Sequence, residues 1–307
     1  MPSLAVIILT YNEELHLARA LASVREIAQE VFVIDSGSRD RTVEIAEAAG
    51  AKVLTHEFIS HSKQLKWALQ NAPITSDWVM RLDADEVIEP DLARSLATEL
   101  PSLSSDVTGV NLNRKHIFMG RWIRYGGRYP LLMLRVWRRG KAQVEDRWMD
   151  EHMVLTCGRA ITVEGGFADH NLQDLTSFTA KHNRYATHEA IDVLLKKYEL
   201  RTNDIRISAK SASAQAAGKR FIKEAIYNRI PFWLSSLGYF IYRYFVRLGF
   251  LDGPEGIIYH FLQGYWYRFL VGAKVVEFER VLAEADDRSH ALLELARLTG
   301  YDVSELT

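Results

Sequence analysis

Apolar residues follow two rhythms along this chain. Leu4-Ala5-Val6-Ile7-Ile8-Leu9 and Val31-Phe32-Val33-Ile34 are unbroken aliphatic and β-branched runs, the pattern of strands covered on both faces. Lys52-Val53-Leu54 and Trp78-Val79-Met80-Arg81-Leu82 add two more, the last entered through the turn-rich Pro73-Ile74-Thr75-Ser76-Asp77. Between them Leu15, Leu17, Ala18, Leu21 and Val24 recur at helical spacing. A second helix starts at Thr42 and is closed by Gly50, and residues 63–71 read as a third. Strand and helix alternating at this interval predict an α/β fold: a parallel, right-handed sheet in an αβα layer. Further strands are expected over Asn111–Phe118, Leu131–Trp137 and Ile161–Val163, and a long helix over Phe178–Leu195.

After about Arg201 the pattern changes. From Lys210 to Arg247, seven Lys and Arg face a single acid, Glu224, with aromatic residues interleaved. On a helix starting near Pro231, the residues Trp233, Leu237, Phe240, Ile241, Tyr244 and Leu248 form one apolar stripe, flanked by Arg243 and Arg247. The stretch never reaches about 18 charge-free apolar residues, so it is not expected to span a bilayer. A basic aromatic helix suits the interface of an anionic leaflet, with Trp233, Phe240, Arg243, Tyr244 and Arg247 as the contacts. The alternative is packing of the stripe on the catalytic domain or on a second subunit. Residues 278–298 read as one amphipathic helix, a candidate for homo-oligomer formation. The expected domains are 1–200 and a helical region over 201–307.

Composition narrows the class without naming a function. A hydrophobic content of 48% and a charged content of 25% are those of a globular protein, and the net charge of −1 argues against nucleic acid as a partner. Cys157 is the only cysteine, which excludes an internal disulfide or a cysteine zinc site and makes a reducing cytoplasm the default. The N-terminal apolar run lacks a basic flank and is too short for a signal peptide or a membrane span.

The candidate chemistry lies where strands end, since the carboxyl ends of parallel strands face the ligand crevice. Asp83-Ala84-Asp85-Glu86 closes the fourth strand. In an extended chain Asp83 and Asp85 project from the same side, and such hard oxygen donors suit Mg²⁺ or Mn²⁺ bridged to phosphates. A solvated acidic turn is the plain alternative. Tyr11 either stacks on a base or covers its helix; Asp35 either accepts from a base or ribose or makes an Asx turn. No Gly-x-Gly-x-x-Gly follows the first strand and there is no P-loop.

Thr10-Tyr11-Asn12-Glu13-Glu14, Asp35-Ser36-Gly37-Ser38-Arg39-Asp40 and Asp83-Ala84-Asp85-Glu86, in this order, resemble family 2 glycosyltransferases of the GT-A fold. The subgroup that looks most similar builds lipopolysaccharide core or exopolysaccharide, often with glucose. The resemblance implies a nucleotide-sugar donor held by Thr10, Tyr11, Glu13, Asp35 and Asp83, a divalent metal on Asp85, and a lipid-linked glycan acceptor. It also implies a peripheral place on the cytoplasmic face of the bacterial inner membrane. An inverting transfer needs a carboxylate base. In Trp148-Met149-Asp150-Glu151-His152, Glu151 is the first candidate and Asp150 the second, with Trp148 as an acceptor platform. His170 is the implied second metal ligand, and Arg128, Arg135, Lys181 and Tyr185 are the implied acceptor or phosphate contacts. The rivals are a polyprenyl-phosphate glycosyltransferase, a nucleotidyltransferase and an inactive membrane-associated nucleotide-binding scaffold.

Overall fold

The structure is a computed structural model that describes residues 3–145, 152–198 and 230–301, apart from 284 and 286. The chain divides into two compact units, Met1–Leu172 and Gln173–Thr307. The long helix expected over Phe178–Leu195 therefore groups with the second unit, upstream of the expected boundary at 200.

The first unit opens with β1 (Leu4–Thr10), α1 (Leu17–Val24), β2 (Glu30–Asp35), α2 (Thr42–Ala48), β3 (Lys52–Thr55), α3 (His61–Asn71) and β4 (Trp78–Asp83), in the alternation that the hydrophobic pattern predicts. There follow β5 (Glu86–Ile88), α4 (Pro90–Glu99), β6 (Val107–Phe118), β7 (Arg121–Ile123), β8 (Leu132–Arg138), the hairpin of β9 (Ala142–Val144) with β10 (Met153–Leu155), and β11 (Arg159–His170). Among the described residues the main sheet runs β3-β2-β1-β4-β8-β6-β11-β5, with β7 on β6. β1 is parallel to β2 and β4, and β2 to β3, while β8 joins β4 and β6 antiparallel. Alternation along β1 divides its side chains between two cores. Leu4, Val6 and Ile8 pack in a cluster with α1 and α4; Ala5 and Ile7 pack in another with Leu65 and Ala68 of α3. A strand buried on both faces has no polar side to show, which is why its sequence reads as a continuous apolar run.

In the second unit α5 spans Leu175–Lys197, capped by the Asp174 carboxylate on the Ser177 N–H at 2.8 Å. α6 (Phe232–Ile241) runs on through a π-type turn over Tyr242–Val246. After Leu248, at φ 59°, the chain reverses into α7 (Gly253–His260), then α8 (Tyr267–Leu282) and α9 (Arg288–Thr299). The single helix expected over 278–298 is thus two. Asp287 accepts from the His290 N–H at 2.8 Å and starts a new helix there, a cap that the apolar period did not register. No described helix is long and apolar enough to cross a membrane.

Candidate functional site

Register alone gathers the predicted loops. Thr10 pairs with Asp35 across β1 and β2, and Leu9 pairs with Asp83 across β1 and β4, so the three strand ends leave the sheet at one edge. The loops beyond β1 and β2 are stitched together. Asp35 is buried, and its carboxylate accepts from the Thr10 and Ser38 hydroxyls at 3.1 and 2.5 Å and from the Gly37 and Ser38 amides at 2.9 and 2.8 Å. Four donors fill the acceptor capacity of a carboxylate. The Asx-turn reading of Asp35 is therefore present in the structure, made possible by Gly37 at φ 84°. Ser38 in turn accepts from the Asn12 N–H at 2.8 Å, and Asn12 from the Arg39 N–H at 2.9 Å. This lattice leaves Tyr11 57% exposed at the rim. Glu13 turns back to His16, 2.7 Å from its Nδ1.

The acidic turn departs from the extended geometry expected of it. β4 ends at Asp83 and the chain turns over Ala84 and Asp85, and the two carboxylates have different partners. Asp83 is held by Arg81 at 3.1 Å and Arg135 at 3.2 Å. Burial would raise its pKa, but the two guanidinium groups outweigh that and keep it far below the usual carboxylate range. Glu86 behaves oppositely. It is buried, accepts from Arg135 at 2.5 Å and from the Asp83 N–H at 2.9 Å, and burial with the Asp83 charge pushes it up to about 8 against Arg135. Arg135 is itself buried at the centre of this pair. It braces the carboxylates of the turn, and almost none of this residue, expected as a phosphate or acceptor contact, reaches solvent.

β11 brings the remaining parts. Asp169 pairs in register with Glu86 and is ion-paired with Arg114, with His116 Nδ1 at 2.8 Å. Burial would raise Asp169, but Arg114 and His116 hold it well below the usual range. The His170 N–H donates to the Asp85 carbonyl at 3.0 Å, and the Asn171 amide donates to the Asp85 carboxylate at 3.1 Å. Arg19 of α1 donates to the His170 carbonyl at 2.8 Å and lies 3.3 Å from its ring Nδ1. Burial and Arg19 lower the His170 pKa, favouring neutral imidazole. With Arg19 donating to Nδ1, the ring proton sits on Nε2, and neither nitrogen offers a metal its lone pair while that contact holds. Among the described residues no three His, Cys, Asp or Glu side chains cluster as a metal cage. Asp85 remains a fitting single donor, because Mg²⁺ is bound by one or two carboxylates plus phosphates and waters, not by a full protein cage.

Arg128 is half-buried and lies within electrostatic reach of His116. Lys181 and Tyr185 belong to α5 of the second unit, the ammonium 5.8 Å from the ring centre. Trp148, Asp150 and Glu151 lie outside the described residues. His16, Arg19, Arg114 and Asn171 had no sequence signal; each acts across more than fifty positions or through a backbone atom.

A family model described as Glycosyl transferase family 2 matches residues 5–162, just over half of the chain. The chain belongs to that family. A protein of Rickettsia typhi described as an uncharacterized glycosyltransferase is 39% identical over 92 residues, covering 30% of this chain and 31% of that protein. One from Rickettsia bellii is 36% identical over 103 residues, 34% of each. The chain thus spans about a third of the length of the curated relatives it matches. A solved structure of glucosyl-3-phosphoglycerate synthase from Mycobacterium tuberculosis with Mn²⁺ and UDP is similar at 23% identity over 38% of this chain and 44% of that one, with a TM-score of 0.32. The mixed α/β sheet with its helical C-terminal region is the fold class that the motifs implied.

Proposed function

We propose that this chain is an inverting transferase that moves a sugar, glucose as the first expectation, from a UDP-sugar to a lipid-linked glycan. The observation that carries this reading is the shared edge of β1, β2 and β4, where the loops of Tyr11 and Asp35 and the turn of Asp85 emerge together. Tyr11 offers its exposed ring to the base, and the loop pinned by Asp35 fixes where that ring stands. Asp85 would hold a divalent cation, Mg²⁺ or Mn²⁺, whose charge favours departure of the diphosphate. Asp83, kept ionised by its two arginines, faces the ribose or the donor sugar. Asn171 and the His170 amide orient the Asp85 turn from both its side chain and its carbonyl. Glu151, or Asp150 beside it, removes the proton from the acceptor hydroxyl as that oxygen attacks the anomeric carbon. A lipopolysaccharide or exopolysaccharide precursor on the cytoplasmic face of the inner membrane is the acceptor class proposed.

Transfer from labelled UDP-glucose to a membrane lipid extract, with Glu151→Gln and Asp150→Asn beside the wild type, tests the reading. A loss of at least about a hundredfold with one of the two is expected. Transfer untouched by both substitutions would instead favour an acceptor that is already an anion, as in polyprenyl-phosphate glycosylation.

A further inference from the structure

In an ordinary surface helix the apolar face turns to the protein and the polar face to water. α6 and its continuation do the reverse. Trp233, Leu237, Ile241 and Phe245, spaced four apart, are all exposed, and so are Leu234 and Val246 one position on, Val246 at 65%. The buried positions on the same stretch are Ser236 and Arg243. Ser236 returns its hydroxyl to the Phe232 carbonyl at 2.7 Å. Arg243, only 4% exposed, places its guanidinium 5.6 Å from the ring centres of both Tyr239 and Tyr259. Arg243, expected as a membrane contact, has its cation inside. Phe240 and Tyr244 are stacked and half-buried, and Arg247 alone of the expected cations reaches the surface.

The inversion continues on the return leg. Phe250, Leu251, Ile257 and Phe261 are exposed, whereas Asp252 and His260 are buried side by side, Oδ2 to Nε2 at 3.3 Å. Gly249 and Gly256 let the legs close around this pair, since a Cβ at Gly249 would meet the His260 ring at 2.7 Å and one at Gly256 would meet the Asp252 side chain at 2.5 Å. Charge agrees with the polarity. No Asp or Glu occurs between Ile230 and Leu251, and residues 201–229 just before carry seven Lys and Arg against two acids. Ten residues of α6 and five of the turn extend at most about 22 Å, short of the roughly 30 Å of a hydrocarbon core.

We propose that residues 231–261 form a helical hairpin that dips into the hydrocarbon of one leaflet without crossing it, with Arg243, Asp252 and His260 sheltered inside and Arg247 on anionic headgroups. Ionisable groups inside and apolar groups outside are what a lipid environment selects. The proposal deepens the membrane reading above and is independent of the donor chemistry.

The test uses the full chain with Cys157→Ser, so that Val246→Cys carries a single nitrobenzoxadiazole label. On phosphatidylcholine vesicles with and without phosphatidylglycerol, the label should shift to the blue and be quenched more by mid-chain than by headgroup nitroxide lipids. Binding should persist in about 1 M NaCl, where surface electrostatics are screened to about 3 Å. Leu237→Glu with Phe245→Glu should lower vesicle partitioning by about tenfold or more, with the circular dichroism spectrum and UDP binding retained. Release by salt, or quenching from headgroups alone, would overturn insertion in favour of surface adsorption. A lipid-free dimer that buries the label and ignores vesicles would overturn it in favour of a second copy as the occupant. UDP binding, measured separately on the same samples, reports on the transferase reading whichever way the vesicle result falls.

Discussion

Arg135 has almost no access to water, and its removal leaves Asp83 with Arg81 but takes the guanidinium away from buried Glu86. Arg135→Met should destabilise the first unit by about 1–3 kcal/mol, the cost of leaving a buried hydrogen-bonding group without its partner, read as a lower midpoint in thermal unfolding. Glu86 gives the pH counterpart. Its folded pKa, about 8, lies above the ordinary value of 4.5. A raised acid favours the folded state fully below the unfolded pKa, and that advantage is lost as pH rises through the folded one. Stability should therefore fall between about pH 4.5 and 8, and Glu86→Gln should flatten that slope while retaining the fold. Urea midpoints of both proteins across that range check the sign; a slope unchanged in the variant contradicts the assignment.

At the scale of elements, β11 does the positioning. Its pairing with β6 shifts register between Thr162 and Gly166, and that irregularity sets where Asp169, His170 and Asn171 meet the acidic turn. Gly165 sits in it at φ 95°, where a Cβ would come 2.5 Å from the Leu92 N of α4. Gly165→Ala should cost about 1–3 kcal/mol from strain and overlap together, measured by thermal melting. Elements of this kind were hardly legible in the sequence. The parallel strands announced themselves because burial on both faces leaves only apolar residues, and the loops of Tyr11, Asp35 and Asp85 followed from where those strands stop. Arg135 was visible as a residue but not as a brace, since its partners are fixed by β8 crossing to β4, a pairing that no local pattern encodes. Asp85 was expected beside Asp83 on an extended strand; the turn at Ala84 sent the two carboxylates to different partners. Likewise a helical period found the stripe of α6, yet periodicity cannot say which face looks inward. Burial of Arg243 and exposure of Trp233 show the opposite of the soluble default.

Over the whole molecule, the proposed donor site lies at one sheet edge of the first unit, and the second unit contains an inverted helical hairpin. The family, the fold and the convergence of three strand ends all bear on that proposed site. Calorimetric titration of UDP into the full chain, with and without Mn²⁺, tests it most directly when wild type and Asp85→Asn are compared. Mn²⁺ should tighten UDP binding to wild type by about tenfold or more, a coupling of about 1.4 kcal/mol, and Asp85→Asn should abolish this gain while leaving metal-free affinity near that of wild type. Equal strengthening by Mn²⁺ in both proteins would contradict it.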